Sequence, residues 1–567
     1  MQKYKYFVID FCSSCLGHPS STVFSVTKFS TIILHIFHIT ESLNCCEDPT
    51  PNNPKCFTIP IPSRDSFYSW VNLTATCLNF VRSSPVCQRS TRQQLNELTA
   101  FVDGSTVYGS HEEHASVLRT YQDGLLAMNT LTKQPPTKEQ LNLRPNRRLL
   151  RPETQEDFVA GDNRVNEHPF LTAMHVVMMR EHNRIADQLR RNLPQYLIND
   201  ETLYQESRRI VVAEIQNIVY GEYLPTILGA KYMDKYGLLV TETSKYDSEI
   251  DPTIYNEFAS AAFRFGHSMI NSMFMLVSQR KPRNHSGAST WFWRLREIFD
   301  GQKAHGKKLP LEEMIEGLIS QMPQTCDAYF SSEVTNHLFQ KNHNRENFGN
   351  DLLAINVQRG RDHGLPSYNS YRKRCGLAPL TSWSERPSEL DEHFWLKLKD
   401  VYEKVDDIDL YLGGVSERNV KGGAVGPVFA CIIGEQFRRL KYGDRFFYTH
   451  QPDNIGSKGL GDVAKSYVLQ RTLGDLVCDN TALEGTQKWV TLQPDESYNP
   501  FELCSKKRPL SMKAIAREIA DELPRQSRQV FLNRGRTPSR RGKTSRNQRR
   551  GKGPLSPVCL GLGCGQV

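Results

Sequence analysis

The chain has 567 residues, of which 38% are hydrophobic, 23% charged and 10% aromatic, so it is long enough to bury a large core. This composition excludes a wholly disordered, collagen-like or membrane-embedded protein. The net charge is +9, from 71 Lys and Arg against 62 Asp and Glu, and residues 525–567 hold eleven of the basic and none of the acidic side chains. The rest, with 60 basic (71 less 11) against 62 acidic groups, is near neutral, which argues against a specific nucleic-acid-binding face.

The N-terminus shows no evident secretory signal. Lys3 and Lys5 provide a basic start, but only three apolar residues separate the start from Asp10. The most apolar run, residues 32–39, is interrupted by two histidines and is too short to cross a bilayer. We therefore expect no transmembrane segment.

Cysteine usage points to an oxidising compartment. Fourteen cysteines are spread along the chain, and five of them lie between residues 45 and 87 without Cys-x-x-Cys pairs in that stretch. A disulfide framework explains this pattern better than a zinc site does. Glycosylation motifs begin at Asn72 and Asn284. The sequence predicts a secreted, glycosylated protein.

Apolar residues recur at intervals of three and four between residues 170 and 322, which is typical of amphipathic helices. The four stripes are Leu171, Met174, Met178, His182, Ile185 and Leu189; Ile210, Val211, Ile215, Ile218 and Val219; Phe258, Ala261, Phe265 and Met269; and Leu311, Ile315, Leu318 and Met322, before Pro323. Strand patterns are few and short. We predict a mainly α fold with little β structure, built as a single large domain whose loops are held by disulfides.

The C-terminal residues 525–567 differ from the rest. They mix Arg, Gly, Ser and Pro with little apolar content, which predicts disorder because so little surface can be buried. A solvated tail is the interpretation we favour, and the alternative is an electrostatic patch for heparin-like glycans, other acidic surfaces or nucleic acid.

The first polar stretch with the side chains of a candidate binding site surrounds Asp103. Thr99, Asp103 and Ser105 place oxygens at alternate positions, with the backbone carbonyl of Phe101 between them. A calcium ion takes six to eight oxygens from a short looping segment of this kind. A turn or helix-capping role for Asp103 is the alternative.

Two further stretches pair a guanidinium with a second polar group three residues later. Arg164 and Glu167 project to the same side of a helical turn, as do Arg264 and His267. A surface ion pair is the alternative for the first pair, and a hydrogen-bonded core histidine is the alternative to an iron ligand for the second.

The fourth stretch, residues 356–364, is polar and charged inside a region otherwise apolar enough to be buried. Buried charges need partners, so these residues indicate an internal network or an anionic ligand.

Together these stretches resemble the animal haem peroxidase family. The resemblance covers residues 40 to about 506, and it is carried by several motifs in order. These are Cys56-Phe57-Thr58-Ile59-Pro60-Ile61-Pro62, Val107-Tyr108-Gly109-Ser110, Arg180-Glu181-His182-Asn183-Arg184, Arg361-Asp362-His363-Gly364 and Gly443-Asp444-Arg445-Phe446.

The resemblance implies a haem site with His267 as the proximal iron ligand and Asn356 as the acceptor of its other ring N–H. Arg264 and Arg359 would pair with the haem propionates. Arg164 would be the distal arginine that stabilises charge as the peroxide bond breaks.

The resemblance also implies covalent and metal sites. Glu167 would be ester-linked to a methyl group of haem b. His168 stands where most members have Gln and one has a haem-linking Met, so no sulfonium link forms. The implied calcium ligands are Thr99, Phe101 through its carbonyl, Asp103 and Ser105.

The family suggests a disulfide pairing that spacing alone leaves open. The implied pairs are Cys45 with Cys56, Cys46 with Cys77, Cys375 with Cys431, and Cys478 with Cys504. Cys87 and Cys326 are left over in the body of the chain.

The distal Asp-His-Asp motif of the family is missing. In an ungapped alignment, Ile36 replaces the second haem-linking Asp, Phe37 the catalytic histidine and His38 a calcium-binding Asp. A phenylalanine cannot transfer the peroxide proton, and general acid–base help contributes about 10²–10⁴-fold to such a step. We predict that residues 1–38 are unlike the family and that residues 39–510 form an N-terminally incomplete peroxidase domain.

The leading functional hypothesis is a secreted haem peroxidase that uses hydrogen peroxide to oxidise halide, thiocyanate, or phenolic and tyrosyl donors. The first alternative is a catalytically impaired member that serves as an extracellular adhesion or matrix module. A weaker alternative is a fatty-acid dioxygenase.

Overall fold

The computed structural model describes residues 43–47, 52–68, 76–86, 91–141, 157–278, 289–299, 309–340, 348–454, 456–507 and 509–534. The chain divides into two compact units, Met1–Ala520 and Asp521–Val567. The first unit is helix-rich with a few short strands, which confirms the predicted mainly α class.

The α-helices of the described residues are short before residue 169, and all of the long ones follow it. They are α1 Ser105–Tyr108, α2 Glu112–Val117, α3 Pro169–Asn192, α4 Asp200–Ile218, α5 Leu224–Lys235, α6 Asn256–Ser260, α7 Leu311–Ser320, α8 Ser332–Thr335, α9 Leu352–Asp362, α10 Tyr368–Arg374, α11 Glu392–Val401, α12 Leu410–Val415, α13 Pro427–Tyr442, α14 Asp462–Val468, α15 Leu473–Asn480 and α16 Met512–Arg534.

Tighter and wider helical segments connect some of these helices. The 3₁₀ segments are Asn163–Asn166, Gln195–Leu197, Ala262–Met269, Leu295–Glu297, Val405–Asp407 and Cys504–Lys506, and Val219–Tyr223 is a π-helical turn that continues α4.

The described strands form three antiparallel two-stranded sheets. β1 Ile59–Pro60 pairs with β2 Cys77–Leu78, β3 Met273–Ser278 with β4 Ser289–Arg294, and β5 Gly485–Gln487 with β6 Phe501–Leu503. In the β3–β4 ladder, Met273 lies opposite Arg294 and Ser278 opposite Ser289. Helix α7 packs on β3 at Gly317, where a Cβ atom would lie 1.8 Å from the carbonyl oxygen of Met275. Only glycine permits that approach.

The first two predicted stripes are confirmed. All six predicted positions on α3 are buried, and the helix begins with His168 as N-cap and Pro169 in its first turn. The second stripe lies on α4 and the π-helical turn, where all five residues are buried. Helices α3 and α4 pack against each other in the core.

The other two stripes differ from the prediction. The third is not one helix, because α6 ends at Ser260, Ala261 has φ −137° and ψ −72°, and a 3₁₀ segment follows. The fourth ends at Ser320, so Met322 lies outside α7 and is exposed. Residues that precede proline disfavour the α conformation, which explains why Met322 before Pro323 is not helical.

Four disulfides join the pairs that the resemblance implied. They are Cys45–Cys56, Cys46–Cys77, Cys375–Cys431 and Cys478–Cys504. Cys326 is a buried free thiol, and Cys87 and both glycosylation motifs lie outside the described residues.

Within the described part of the chain, no helix combines the length and apolar content that crossing a bilayer requires. Helix α16 continues to Arg534, so the first ten residues of the tail predicted to be disordered have a helical backbone. Extending an existing helix costs far less than nucleating one, which accounts for this difference. Residues 535–567 lie outside the described residues.

Candidate functional site

A fully buried 3₁₀ segment, Ala262–Met269, carries His267 and Arg264. The Arg264 Nε donates to the carbonyl oxygen of Ala259 at 3.0 Å, and the Arg264 backbone N–H donates to the Ala261 carbonyl at 3.0 Å. The side chain therefore uses a carbonyl that a continuing α-helix would need, which favours the break after α6. Residues three apart eclipse each other in a 3₁₀ helix, so Arg264 and His267 share a side as predicted.

Asn356 of α9 joins these two side chains. Its Oδ1 lies 3.1 Å and its Nδ2 lies 2.9 Å from the His267 Nδ1, and the Oδ1 accepts a hydrogen bond from the Arg264 Nη1 at 3.1 Å. All three side chains are at most 1% exposed. An Nδ1–H that donates to Asn356 leaves the lone pair on the His267 Nε2, which is the tautomer a metal-binding imidazole requires.

Arg264 is a buried cation that makes no ion pair with a carboxylate of the described residues. Burial, followed by the nearby Arg359 charge, lowers the pKa of Arg264 to about 9. Arg359 donates to Asp362 at 2.9 Å and stacks 4.0 Å from the Phe80 ring centroid, and burial lowers its pKa to about 10. Two buried guanidinium groups beside one carboxylate fit an additional anionic group.

The end of α9 is held by a network that involves the predicted 356–364 cluster. Asp362 accepts hydrogen bonds from the Arg82 Nε at 2.7 Å and the Ser83 N–H at 2.9 Å. His363 lies 2.6 Å from the Ser83 Oγ through Nε2 and 2.9 Å from the Ser260 Oγ through Nδ1. The sequence interpretation did not identify Ser83 or Ser260, because their partners are more than 100 residues away.

Arg164 and Glu167 occupy the turn before α3. The 3₁₀ segment Asn163–Asn166 carries Arg164, and buried Glu167 follows it. Asp162 accepts hydrogen bonds from the backbone N–H, Nε and Nη2 of Arg164 at 2.8, 2.7 and 2.5 Å. Burial acts to raise the pKa of Asp162, but the Arg164 charge outweighs it and holds the pKa below its usual range. The sequence interpretation missed Asp162, although Asp-x-Arg at a helix start was the signal for it.

His168 is the N-cap of α3. Its Nδ1 accepts a hydrogen bond from the Leu171 N–H at 3.3 Å, and the ring lies 5.4 Å from that of Phe274. Burial lowers the pKa of His168 to about 4, so the imidazole is neutral at physiological pH.

The structure brings together three of the four predicted calcium-loop residues. The Asp103 Oδ1 accepts hydrogen bonds from the Thr99 Oγ1 at 3.0 Å and the Ser105 Oγ at 2.7 Å, and the two hydroxyl oxygens lie 2.9 Å apart. Phe101 lies on the same loop and is half-buried. Nowhere in the described ranges do three His, Cys, Asp or Glu side chains form a metal-binding group, so any cation here relies on the single Asp103 carboxylate together with hydroxyl and carbonyl oxygens.

This loop contacts the Arg164 turn at Gly161. A Cβ atom on Gly161 would lie 2.3 Å from the Ser105 carbonyl oxygen, so only glycine allows the two segments to approach this closely. Gln216 of α4 donates to the Val102 carbonyl at 2.9 Å and buttresses the loop from another side. The predicted distal replacements Ile36, Phe37 and His38 lie outside the described residues.

The known proteins that this chain matches in sequence point to one family. The family model for the animal haem peroxidase domain matches residues 21–491, a range that begins inside the segment predicted to be unlike the family. Chorion peroxidase of Drosophila melanogaster is 34% identical over 82% of this chain and 58% of its own length. Myeloperoxidase of Mus musculus is 36% identical over 78% of this chain and 60% of its own length. The chain thus spans little more than half the length of these curated relatives.

The chain is also similar in fold to solved structures. Peroxidase A from Dictyostelium discoideum has a TM-score of 0.63 and 28% identity, covering 78% of this chain and 83% of that protein. A fatty acid alpha-dioxygenase of Oryza sativa has a TM-score of 0.56 at 21% identity over 75% of this chain and 70% of that protein, which shows a shared fold alone.

Proposed function

The chain belongs to the animal haem peroxidase family, and from this premise we propose that it is a secreted haem peroxidase. It uses hydrogen peroxide to oxidise halide, thiocyanate, or phenolic and tyrosyl donors. The observation that carries the proposal is the buried contact between His267 and Asn356, because it engages the His267 Nδ1 and leaves Nε2 as the nitrogen available to an iron ion.

The residues present fit haem b. His267 would hold the iron through Nε2, and the Asn356 oxygen would raise the basicity of the ring by accepting Nδ1–H. Arg264 and Arg359 would bind the two propionates, which would supply Arg264 with negative charge and add to the Asp362 carboxylate that Arg359 already contacts. Glu167 would be the carboxylate that is ester-linked to a haem methyl group.

Bound haem supplies the redox chemistry through which peroxide is reduced and the donor oxidised. Arg164 directs its guanidinium charge toward negative charge that develops on the departing oxygen. Asp162 fixes the plane of that guanidinium through two side-chain contacts, so the charge is oriented before the substrate arrives.

Calcium binding belongs to the same proposal. Thr99, Asp103 and Ser105 supply side-chain oxygens, and Phe101 supplies its carbonyl. A cation here would tie this loop to the neighbouring Gly161 turn and so stabilise the segment that carries Arg164.

We propose residues 39–510 as the peroxidase domain, residues 1–38 as an atypical segment and residues 525–567 as a basic tail. The tail's eleven basic residues suit heparin-like or other acidic surfaces.

A haem-binding module with little turnover is the second candidate function. It is favoured by Phe37, which occupies the catalytic histidine position in the ungapped alignment. Loss of that proton acceptor lowers the rate by about 10²–10⁴-fold while leaving the haem-holding residues intact.

An absorption spectrum of the purified full chain, followed by one equivalent of hydrogen peroxide and a phenolic donor, tests the proposal. We expect a Soret band that His267→Ala removes, with half-buried His337→Ala as the control that retains it. Peroxide-dependent donor oxidation supports the peroxidase, and a Soret band without turnover supports the second candidate. No Soret band in the wild-type chain would contradict both.

A further inference from the structure

Arg180 on α3 is a half-buried cation without an ion-pair partner in the portion of the chain that the structure describes. Its Nε donates to the Lys133 carbonyl at 3.1 Å and its Nη1 to the Asn480 carbonyl at 2.9 Å. Arg184, one helical turn further along, instead binds the Glu181 carboxylate through Nη2 at 2.6 Å. Burial lowers the pKa of Arg180, and Glu312 offsets this only through its more distant charge. A partly desolvated guanidinium of this kind would be stabilised by a counter-ion.

Arg180 lines a cavity of about 150 Å³ on the face of α3 that meets α7. Polar walls come from Lys133, Gln134 and Glu312, and apolar walls include Leu309 and Leu311. Gln134 is only 5% exposed, and its amide nitrogen has no hydrogen-bond partner among the residues that are placed. Leaving a buried donor unsatisfied is destabilising, so an acceptor bound beside it would be stabilising.

The turn that borders the cavity is held in an unfavourable backbone conformation. Lys133 has φ +55°, in the left-handed region, and the same residue offers the carbonyl that binds Arg180. Asn129 enforces the turn, because its Oδ1 accepts the N–H groups of Leu131 and Thr132 and its carbonyl accepts that of Lys133. Strain of this kind persists where the surrounding structure demands a specific geometry.

We propose that this cavity binds a small organic monocarboxylate, such as a short-chain acid. The carboxylate oxygens lie on the Arg180 guanidinium and the Gln134 amide, and Lys133 adds positive charge at the mouth. The alkyl chain contacts Leu309 and Leu311, which are 3% and 4% exposed.

Charge and size restrict the ligand class. Two cations and the Glu312 carboxylate leave one net positive charge, so a monoanion is matched and a dianion meets repulsion. The cavity is smaller than the roughly 300–1,000 Å³ typical of sites for drug-sized ligands, which limits the alkyl chain to a few carbons. The inference does not depend on the proposed peroxidase activity.

Calorimetric titration of the full chain with butyrate, at constant ionic strength maintained with chloride, tests the proposal. We expect saturable binding and a rise in the unfolding temperature, with no change in the absorption spectrum. Gln134→Leu, which removes the unsatisfied amide without adding volume, should weaken butyrate binding about tenfold. Lys133→Gln should weaken it less, because its charge is solvated.

The control variant is Arg190→Gln, which removes an exposed cation at the far end of the same helix and should bind butyrate normally. Three results would overturn the proposal: no heat and no stabilisation at millimolar butyrate, equal binding by Gln134→Leu and wild type, or succinate binding as tight as butyrate. A Soret shift that follows butyrate occupancy would place the carboxylate at the haem instead and would also overturn it.

Discussion

The Asp162 carboxylate accepts three hydrogen bonds from Arg164, one from its backbone N–H and two from its guanidinium. The two residues are only two apart, yet the contact is nearly buried, with side-chain exposures of 7% and 11%. A bidentate contact of this kind fixes both the position and the plane of the guanidinium. Asp162 is therefore a positioning residue for the proposed distal arginine.

We expect Asp162→Asn to slow peroxide consumption by about ten- to a hundredfold, because a displaced guanidinium no longer meets the developing charge. Stopped-flow absorbance at the Soret band measures the rate. Cyanide binding to the ferric protein provides a second readout of the Arg164 position that needs no turnover.

The chain offers a closely matched control. Glu333 accepts hydrogen bonds from the N–H, Nε and Nη2 of Arg296 at 3.1, 2.8 and 2.5 Å. Glu333→Gln should lower the unfolding temperature to a similar extent and leave peroxide consumption unchanged. Equal losses of rate in both variants would show that Asp162 acts only through stability.

Asn356→Leu should weaken haem retention by about 10–100-fold, because His267 loses the acceptor that orients its ring. Haem transfer to an excess of a competing apo-globin measures the retention. The control is Asn217→Leu, which removes a buried amide that binds the Arg471 carbonyl and the Tyr448 hydroxyl. If both variants release haem equally fast, the effect reflects general loosening of the core.

Calcium should raise the unfolding temperature of the wild-type chain, and Asp103→Asn should remove most of that rise, because the loop loses its only charged proposed ligand. Differential scanning calorimetry with and without a chelator measures the change. Asp251→Asn is the control, since Asp251 also binds the N–H and hydroxyl of a nearby threonine but is exposed. A calcium effect that survives in Asp103→Asn would contradict this site.

Glu222 should make stability fall as pH rises. Burial, with the nearby Asp475 charge, raises the pKa of Glu222 from 4.5 to about 8, although it accepts a hydrogen bond from the Leu473 N–H. Between these values the folded state keeps a proton that the unfolded state has lost. The stabilisation is therefore complete below pH 4.5 and is lost as pH rises through about 8.

Glu222→Gln should flatten this dependence and unfold a few degrees higher than wild type at pH 8.5, because the amide stays neutral. Unfolding temperatures of the variant and the wild type at pH 5.5 and pH 8.5 measure both effects. Exposed Glu249→Gln should follow wild type at both pH values. A wild-type chain more stable at pH 8.5 than at pH 5.5 would require a different protonation state for Glu222.

The sequence by itself determined the helical class, the α3 stripe and the family, because the period of the apolar residues and the motifs depend on residues that are close together in the chain. It also identified Arg264 and His267 as a pair, since residues three apart share a side in either kind of helix. It could not show that α6 ends before this pair, because the competing hydrogen bond from the Arg264 side chain depends on where that side chain is buried.

Only the tertiary structure decided which distant groups meet. Asn356 reaches His267 across 89 positions, Ser83 reaches His363 across 280, and Gly161 touches the Ser105 loop because a glycine there leaves room. The Arg180 cavity likewise depends on α7 and a strained turn meeting one face of α3. Such contacts follow from packing between elements, and a one-dimensional pattern of hydrophobicity and charge does not encode which surfaces will face each other.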